Sequence, residues 1–218
     1  MKRILLFCTS LFSLGLLCAQ PGKKKALFVI ADGIPYDVIK KVPTPHLDSL
    51  GRVGAFLQAY VGGEKDAYSQ TPTISAVGYN SLLTGTWVNK HNVWDNAIAD
   101  PNYYYHSIFR LFQEQFPGGK TAVYSSWLDN RTKLIGDGLP QTGSFKVNDY
   151  YDGLELDTLQ FPHDKNGDYM HQIDEAVVTK AAEGIRKFSP DLTWVYLETL
   201  MIWAINTATA NSFMMQLP

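Results

Sequence analysis

Three short apolar runs constrain the fold of this chain more than any other feature: Ala26-Leu-Phe-Val-Ile-Ala31, Thr121-Ala-Val-Tyr124 and Leu192-Thr-Trp-Val-Tyr-Leu197. Each is too short for a helix, and Ala26 to Ala31 is apolar without interruption, the pattern of a strand buried on both faces in a parallel sheet. The stretches between them carry helical spacing. Thr44 supplies an N-cap and Pro45 a first helical position, opening a helix through Leu47 and Leu50 that stops at Gly51. A second helix is predicted from about Ala76 to Leu83, ending at Gly85. Ile108, Leu111 and Phe112 mark a third, between Tyr105 and Phe116. Asp174 to Phe188 reads as an amphipathic fourth, with Ala176, Val177, Ala181 and Ile185 on one side. Strands alternating with helices predict an α/β fold: a mostly parallel sheet with helices on both faces. The segment from Trp127 to Tyr169, rich in Gly, Asp and Asn, looks like an excursion at an active site. At 218 residues the chain has length for one sizeable domain.

The first nineteen residues are expected to be a secretory signal peptide. Lys2 and Arg3 precede an apolar run from Ile4 to Leu17, followed by Cys18-Ala19-Gln20, and the run is too short for a membrane span. Cleavage near Ala19 would send the mature chain to the periplasm or the medium. Lipidation at Cys18 is the alternative, and Gly15-Leu16-Leu17 is a poor match to the small residues it requires. Both cysteines, Cys8 and Cys18, fall in this segment, so the mature chain has no disulfide, thiolate metal site or cysteine nucleophile. Loss of Lys2 and Arg3 leaves 17 basic against 21 acidic residues. Lys23-Lys24-Lys25 is a short solvated run, and no basic cluster suggests a nucleic acid partner.

In open α/β sheets ligands gather at the carboxyl ends of the strands. Asp32 stands there, one residue after the first strand, where a carboxylate can bind a divalent cation; Asp32-Gly33 is also an ordinary turn pair. Ser75 is placed at the start of a helix, where backbone N–H groups and the helix dipole favour a phosphate, and where a serine is equally an N-cap. A serine hydroxyl is a poor nucleophile at neutral pH, and a metal at its oxygen removes that obstacle. His91 reads first as a loop histidine beside Lys90. His163, Asp164, Asp168 and His171 form either a metal cluster or a polar helix-entry loop. Trp87, Trp94 and Tyr103-Tyr-Tyr105 either flank a leaving group or pack as aromatic core.

Taken together, Asp32-Gly33, Thr44-Pro-His-Leu-Asp-Ser-Leu50, Pro72-Thr-Ile-Ser75, Ser81-Leu-Leu-Thr-Gly85, His91-Asn92 and Asn96 resemble the type I phosphodiesterase/nucleotide pyrophosphatase family of the alkaline phosphatase superfamily. The register holds without gaps from Pro72 through Asn96. The resemblance implies an alkaline phosphatase-like domain that hydrolyses phosphodiesters, pyrophosphates or phosphomonoesters of small substrates, with two Zn2+ as cofactors. It implies Asp32 as a ligand of one zinc together with Ser75, Ser75 as the nucleophile that forms a phosphoseryl intermediate, and Asn96 as the residue holding a phosphate oxygen. Thr73 is a second hydroxyl nearby, but the register counted from Pro72 and from Asn96 favours Ser75. No Cys-x-Pro-x-Arg sequence is present, which argues against the sulfatase branch.

Members of that family carry an Asp-x-x-Gly-His sequence after a strand like the last one, and it holds the other zinc. Here the chain reads Thr199-Leu-Met-Ile-Trp-Ala-Ile-Asn instead and ends at Pro218. Codon arithmetic offers an explanation. Read from the third base of the Thr199 codon, Met201 followed by Ile202 forces Asp, and Trp203 followed by Ala204 forces Gly. With permitted choices elsewhere the tail becomes Thr-Asp-Asp-Met-Gly-His-Lys-Tyr-Gly-Asp-Ser-Glu-Gln-Phe-Tyr-Asp-Ala. The expected organisation is therefore a signal peptide over residues 1–19, the N-terminal part of a catalytic domain over residues 24–198, and an out-of-frame tail over residues 199–218 that leaves this product a truncated, inactive copy. The rival expectations are a non-catalytic phosphate-binding remnant and a secreted binding module.

Overall fold

The computed structural model describes residues 24–199. The expected signal peptide and all of the expected out-of-frame tail but Thr199 lie outside them. Four strands, β1 (Ala26–Ala31), β2 (Thr121–Ser125), β3 (Asp149–Tyr151) and β4 (Leu192–Leu197), form one sheet in the order β1-β4-β2-β3, and every neighbouring pair is parallel. The chain thus enters at one edge, crosses to β2, adds β3, and returns between its first two strands. The two central strands are the two most thoroughly buried: Thr121 through Ser125 and Leu192 through Tyr196 are all inaccessible.

Helices α1 (Tyr36–Ile39), α2 (Pro45–Val53), α3 (Ser75–Thr84), α4 (Val88–His91), α5 (Ile108–Gln115) and α6 (Asp168–Phe188) occupy the connections. One core lies between α3, α4, α5 and the sheet face carrying Val123, Leu192, Trp194 and Tyr196. The other lies under α6, where Met170, Ile173, Val177 and Ala181 meet Ala122, Tyr124 and Val195. Helices on both faces of a parallel sheet is the architecture that the apolar runs predict, because alternate residues of the central strands need cover on opposite sides. Gly184 lets α6 approach closely: a Cβ there would stand 1.8 Å from the Tyr124 hydroxyl, which donates to Asp149 at 2.5 Å.

β1 differs from its neighbours. Phe28 and Ile30 pack against the first core, but Leu27 and Val29, on the α6 side, are 58% and 51% exposed. α6 covers β2, β3 and β4 and stops short of this edge.

Several boundaries differ from the sequence expectations. α2 runs through Gly51 to Val53 before Gly54 ends it, and Thr44 does not cap it: the Thr44 hydroxyl donates to the Asp48 carboxylate at 2.9 Å. α5 starts at Ile108, with Ser107 as its cap. α6 starts six residues before Asp174, because the Asp164 carboxylate accepts from the backbone N–H groups of Asn166, Asp168 and Tyr169 and so initiates the helix early. The excursion contains β3 and a π-helical turn over Asn130–Ile135. It is pinned by Arg131, which bonds Asp137 and Asp152 and stacks over the Tyr150 ring at 3.7 Å.

Candidate active site

β1 delivers Asp32 to the carboxyl edge of the sheet. The register continues one residue past the strand, with Asp32 N–H donating to Leu197 O at 3.0 Å, and the Asp32 carboxylate folds back so that Oδ1 accepts from Gly33 N–H at 2.9 Å. α3 begins at Ser75 on the same edge, with Ile74 extended before it and Gly85, at φ 64°, closing its far end. The Ser75 hydroxyl donates to Asp32 Oδ2 at 3.1 Å. Two groups 43 residues apart in sequence are therefore in direct contact. A capping serine would accept from a backbone N–H of its own helix; this hydroxyl points across to the strand instead. Thr73 is exposed.

Asn96 reaches the same helix start from the loop after α4. Its Oδ1 accepts the Ala76 N–H at 3.0 Å. One N–H of the helix terminus expected to be available for a phosphate is thus already used. The same bond orients the Asn96 amide, leaving Nδ2 as the donor a ligand oxygen would meet.

Two tyrosines complete the arrangement. The Tyr79 hydroxyl, one helical turn beyond Ser75, donates to Asp32 Oδ2 at 2.5 Å and lies 3.1 Å from the hydroxyl of Tyr196 on β4. A phenol has one proton, so with Tyr79 donating to the carboxylate the second contact runs from Tyr196 to Tyr79. The rings pack at 5.1 Å, and both are raised well above the ordinary phenol range, first by burial. At neutral pH both are neutral donors.

Beyond β4 the carboxyl of Glu198 is pushed up to about 7, first by burial and then by the negative charges of Asp174, Glu155 and Asp32. Asp174 of α6 accepts from the backbone N–H groups of Glu198 and Thr199 and from the Thr199 hydroxyl. The exit of β4 is held in place by a buried carboxylate. At this edge of the sheet Glu198 thus lies within electrostatic reach of Asp174, Glu155 and Asp32.

His91 is not a loop residue. It ends α4, fully buried, with Nδ1 accepting from Val93 N–H at 3.1 Å and Nε2 3.0 Å from the Ser81 hydroxyl, which itself donates to Val77 O. With Nδ1 an acceptor the ring proton sits on Nε2, and the imidazole is neutral and fully bonded. Burial lowers its pKa to about 4. Since the unfolded ring titrates near 6.5, stability is full above that value and falls as pH drops from 6.5 toward 4, by roughly 3 kcal/mol in all. His91→Gln is expected to lose that much less stability than the parent between pH 7 and pH 4 in urea titrations; equal losses would mean the ring charges freely in the fold.

The other sequence candidates are engaged in contacts of their own. Asp164 caps α6, and His163 contacts the Glu155 carbonyl while stacking on Tyr169. Among the described residues no group of three or more His, Cys, Asp or Glu side chains is disposed to hold a metal. Tyr103 donates to Lys133 O, Trp94 is half exposed on Asn92, and Tyr104 stands edge-on to Tyr105. An open surface cavity of about 750 Å³ is lined by residues such as Lys90, Asn102, Tyr104 and Arg110 and includes none of Asp32, Ser75 and Asn96.

Tyr79, Tyr196, Glu198 and Asp174 were not singled out by sequence. Tyr79 was findable: four residues after Ser75, it shares its helix face. The other three depend on strand order, which periodicity does not encode.

The profile of a family described as type I phosphodiesterase / nucleotide pyrophosphatase matches residues 26–200, most of the chain. A human protein, ectonucleotide pyrophosphatase/phosphodiesterase family member 5, is 29% identical over 82 residues, 38% of this chain and 16% of that protein, so the aligned stretch spans less than a fifth of the relative's length. No solved structure matches.

Proposed function

The chain belongs to the type I phosphodiesterase/nucleotide pyrophosphatase family, and on that premise we propose that it derives from an exported, zinc-dependent hydrolase of small phosphodiesters, pyrophosphates or phosphomonoesters with Ser75 as nucleophile. The observation that carries this reading is the contact between Ser75 Oγ and Asp32 Oδ2. Their 3.1 Å separation is close to the roughly 3.3–3.6 Å between two oxygens bound to one tetrahedral zinc at 2.0–2.2 Å. Asp32 and Ser75 would hold one zinc, which when bound supplies a lowered hydroxyl pKa and stabilises charge on the phosphoryl oxygens.

Ser75 Oγ would lose its proton to solvent and attack phosphorus in line as the bond to the leaving oxygen breaks, the leaving oxygen keeping the bonding pair and taking a proton from water, to give a phosphoseryl enzyme. Asp32 Oδ2 is the acceptor that the serine proton faces beforehand. Water then attacks phosphorus, the Oγ–P bond breaks, and Ser75 is restored. Asn96 Nδ2 would donate to a non-bridging oxygen, held in place by the bond its Oδ1 makes to Ala76.

The second zinc's ligands are assigned to the alternative frame that begins within the Thr199 codon. Translated through that frame, the protein is expected to carry about two zinc ions and to hydrolyse p-nitrophenyl phosphoesters. The 218-residue product is expected to bind no stoichiometric zinc and to work at background rate. A 218-residue product with two tightly bound zincs and steady turnover would overturn the frame assignment, and DNA sequence across the Thr199 codon checks it directly.

A further inference from the structure

We propose that His91 is the positioning residue for Asn96: from the buried end of α4 it clasps the loop over residues 92–102 onto α3, and so seats the Asn96 amide at the start of that helix. The use assigned to Asn96 rests on the hydrolase reading given above. The clasp itself stands on contacts within the chain as it is.

Asn96 is exposed, and it meets α3 through the Ala76 N–H, which donates to its Oδ1 at 3.0 Å. A bond at the tip of an exposed loop opens readily unless the base of the loop is fixed. His91 fixes it at both ends. Its Nδ1 accepts from Val93 N–H at 3.1 Å, across Asn92, whose φ of 59° turns the chain back at the end of α4. Outside glycine such a backbone needs support, and the ring bond to Val93 N–H holds the reversal closed. The His91 carbonyl accepts from Asn102 N–H at 2.9 Å. Val93 and Asn102 are thus tied to one residue, with Asn96 between them.

The ring is fixed to α3 in turn. With Nδ1 accepting, Nε2 carries the proton and donates to Ser81 Oγ at 3.0 Å, and the Ser81 hydroxyl donates to Val77 O at 2.9 Å. The path from Ala76 through Asn96, Val93 and His91 to Ser81 therefore starts and ends on α3. Val93 and Ile98 also anchor the loop by burial, at 1% and 3% exposure. Apolar contact is non-directional. It holds the loop against the core without setting where the Asn96 amide points, and the His91 bonds supply that direction.

The test is amide hydrogen exchange followed by NMR on the 218-residue chain. It compares the Ala76 amide, which Asn96 protects, with the Leu83 amide inside α3. The ratio of the two rates separates release of Asn96 from a general loss of stability, which speeds both. Asn96→Ala sets the rate of a fully released Ala76. His91→Gln keeps a donor near the Nε2 position and deletes the acceptor for Val93. It is expected to raise the ratio of Ala76 to Leu83 exchange about 10-fold, the scale of one buried hydrogen bond, toward the Asn96→Ala value. Ser81→Ala leaves the imidazole in place and removes its partner, and should raise the ratio about threefold. An unchanged ratio in His91→Gln would mean that burial of Val93 and Ile98 seats the loop, and would overturn the proposal. No change in Asn96→Ala would do the same, because Ala76 would then not be held by Asn96. If His91→Gln does not fold, Ser81→Ala decides alone, and an unchanged ratio there overturns the proposal. The hydrolase reading is judged separately: a protein translated through the alternative frame that forms no phosphoenzyme would sink that reading and leave the exchange result standing.

Discussion

Ser75→Ala in the zinc-loaded protein translated through the alternative frame is expected to abolish phosphoenzyme formation and to lower turnover by on the order of 10⁴–10⁶-fold, the scale seen when a covalent nucleophile is removed. The substitution deletes one oxygen at the first residue of α3 and leaves the helix otherwise intact, since Ile74, not Ser75, is the cap and Asn96 still binds the Ala76 N–H. Stability should therefore hold while chemistry disappears. Thr73→Ala provides the control. Thr73 is exposed two residues away, and its loss should leave turnover within a few-fold. Quench-flow trapping of labelled phosphoprotein separates the two: a dead Thr73 variant beside a turning-over Ser75 variant would move the nucleophile by two residues.

The contrast between these hydroxyls shows how far sequence alone reaches here. The sheet was legible because β2 and β4 are buried on both faces and so leave short, largely apolar runs. β1 carried the same signature although Leu27 and Val29 are exposed, because composition records what a strand can bury and not what covers it. β3, with three residues of which none is buried and Tyr150 is exposed, had no such signal. Asp32, Ser75 and Asn96 were legible as separate positions through the family resemblance. That Ser75 meets Asp32 while Asn96 caps α3 from 20 residues away needed the fold, since β1 and α3 come together only through the order β1-β4-β2-β3. His91 was misread for the complementary reason: a polar residue beside Lys90 suggests a loop, yet Ser81 and Val93 satisfy both ring nitrogens and permit full burial.

Asp32→Asn separates ligand from turn residue. If Asp32 only shaped the turn after β1, asparagine would serve as well, since both side chains make the same short-range bond to the next N–H. The amide would also keep the local contacts: its oxygen can accept from Gly33, and its NH₂ can donate to the Ser75 and Tyr79 hydroxyls, which rotate to accept. The melting temperature in chelator is therefore expected to change little. Zinc binding is a different matter, because the amide brings no negative charge and a cation prefers a carboxylate oxygen. Removing a ligand should exceed the roughly 10–100-fold loss typical of its supporting partners, so the zinc-loaded protein should lose one of its two ions on dialysis and nearly all turnover with it. Metal analysis after dialysis, run beside thermal melts in chelator, reads both quantities on one preparation. Two retained zincs in the asparagine variant would make Asp32 a turn residue, and the cation would then have to be sought elsewhere at the carboxyl edge of the sheet, toward Glu198 and Asp174.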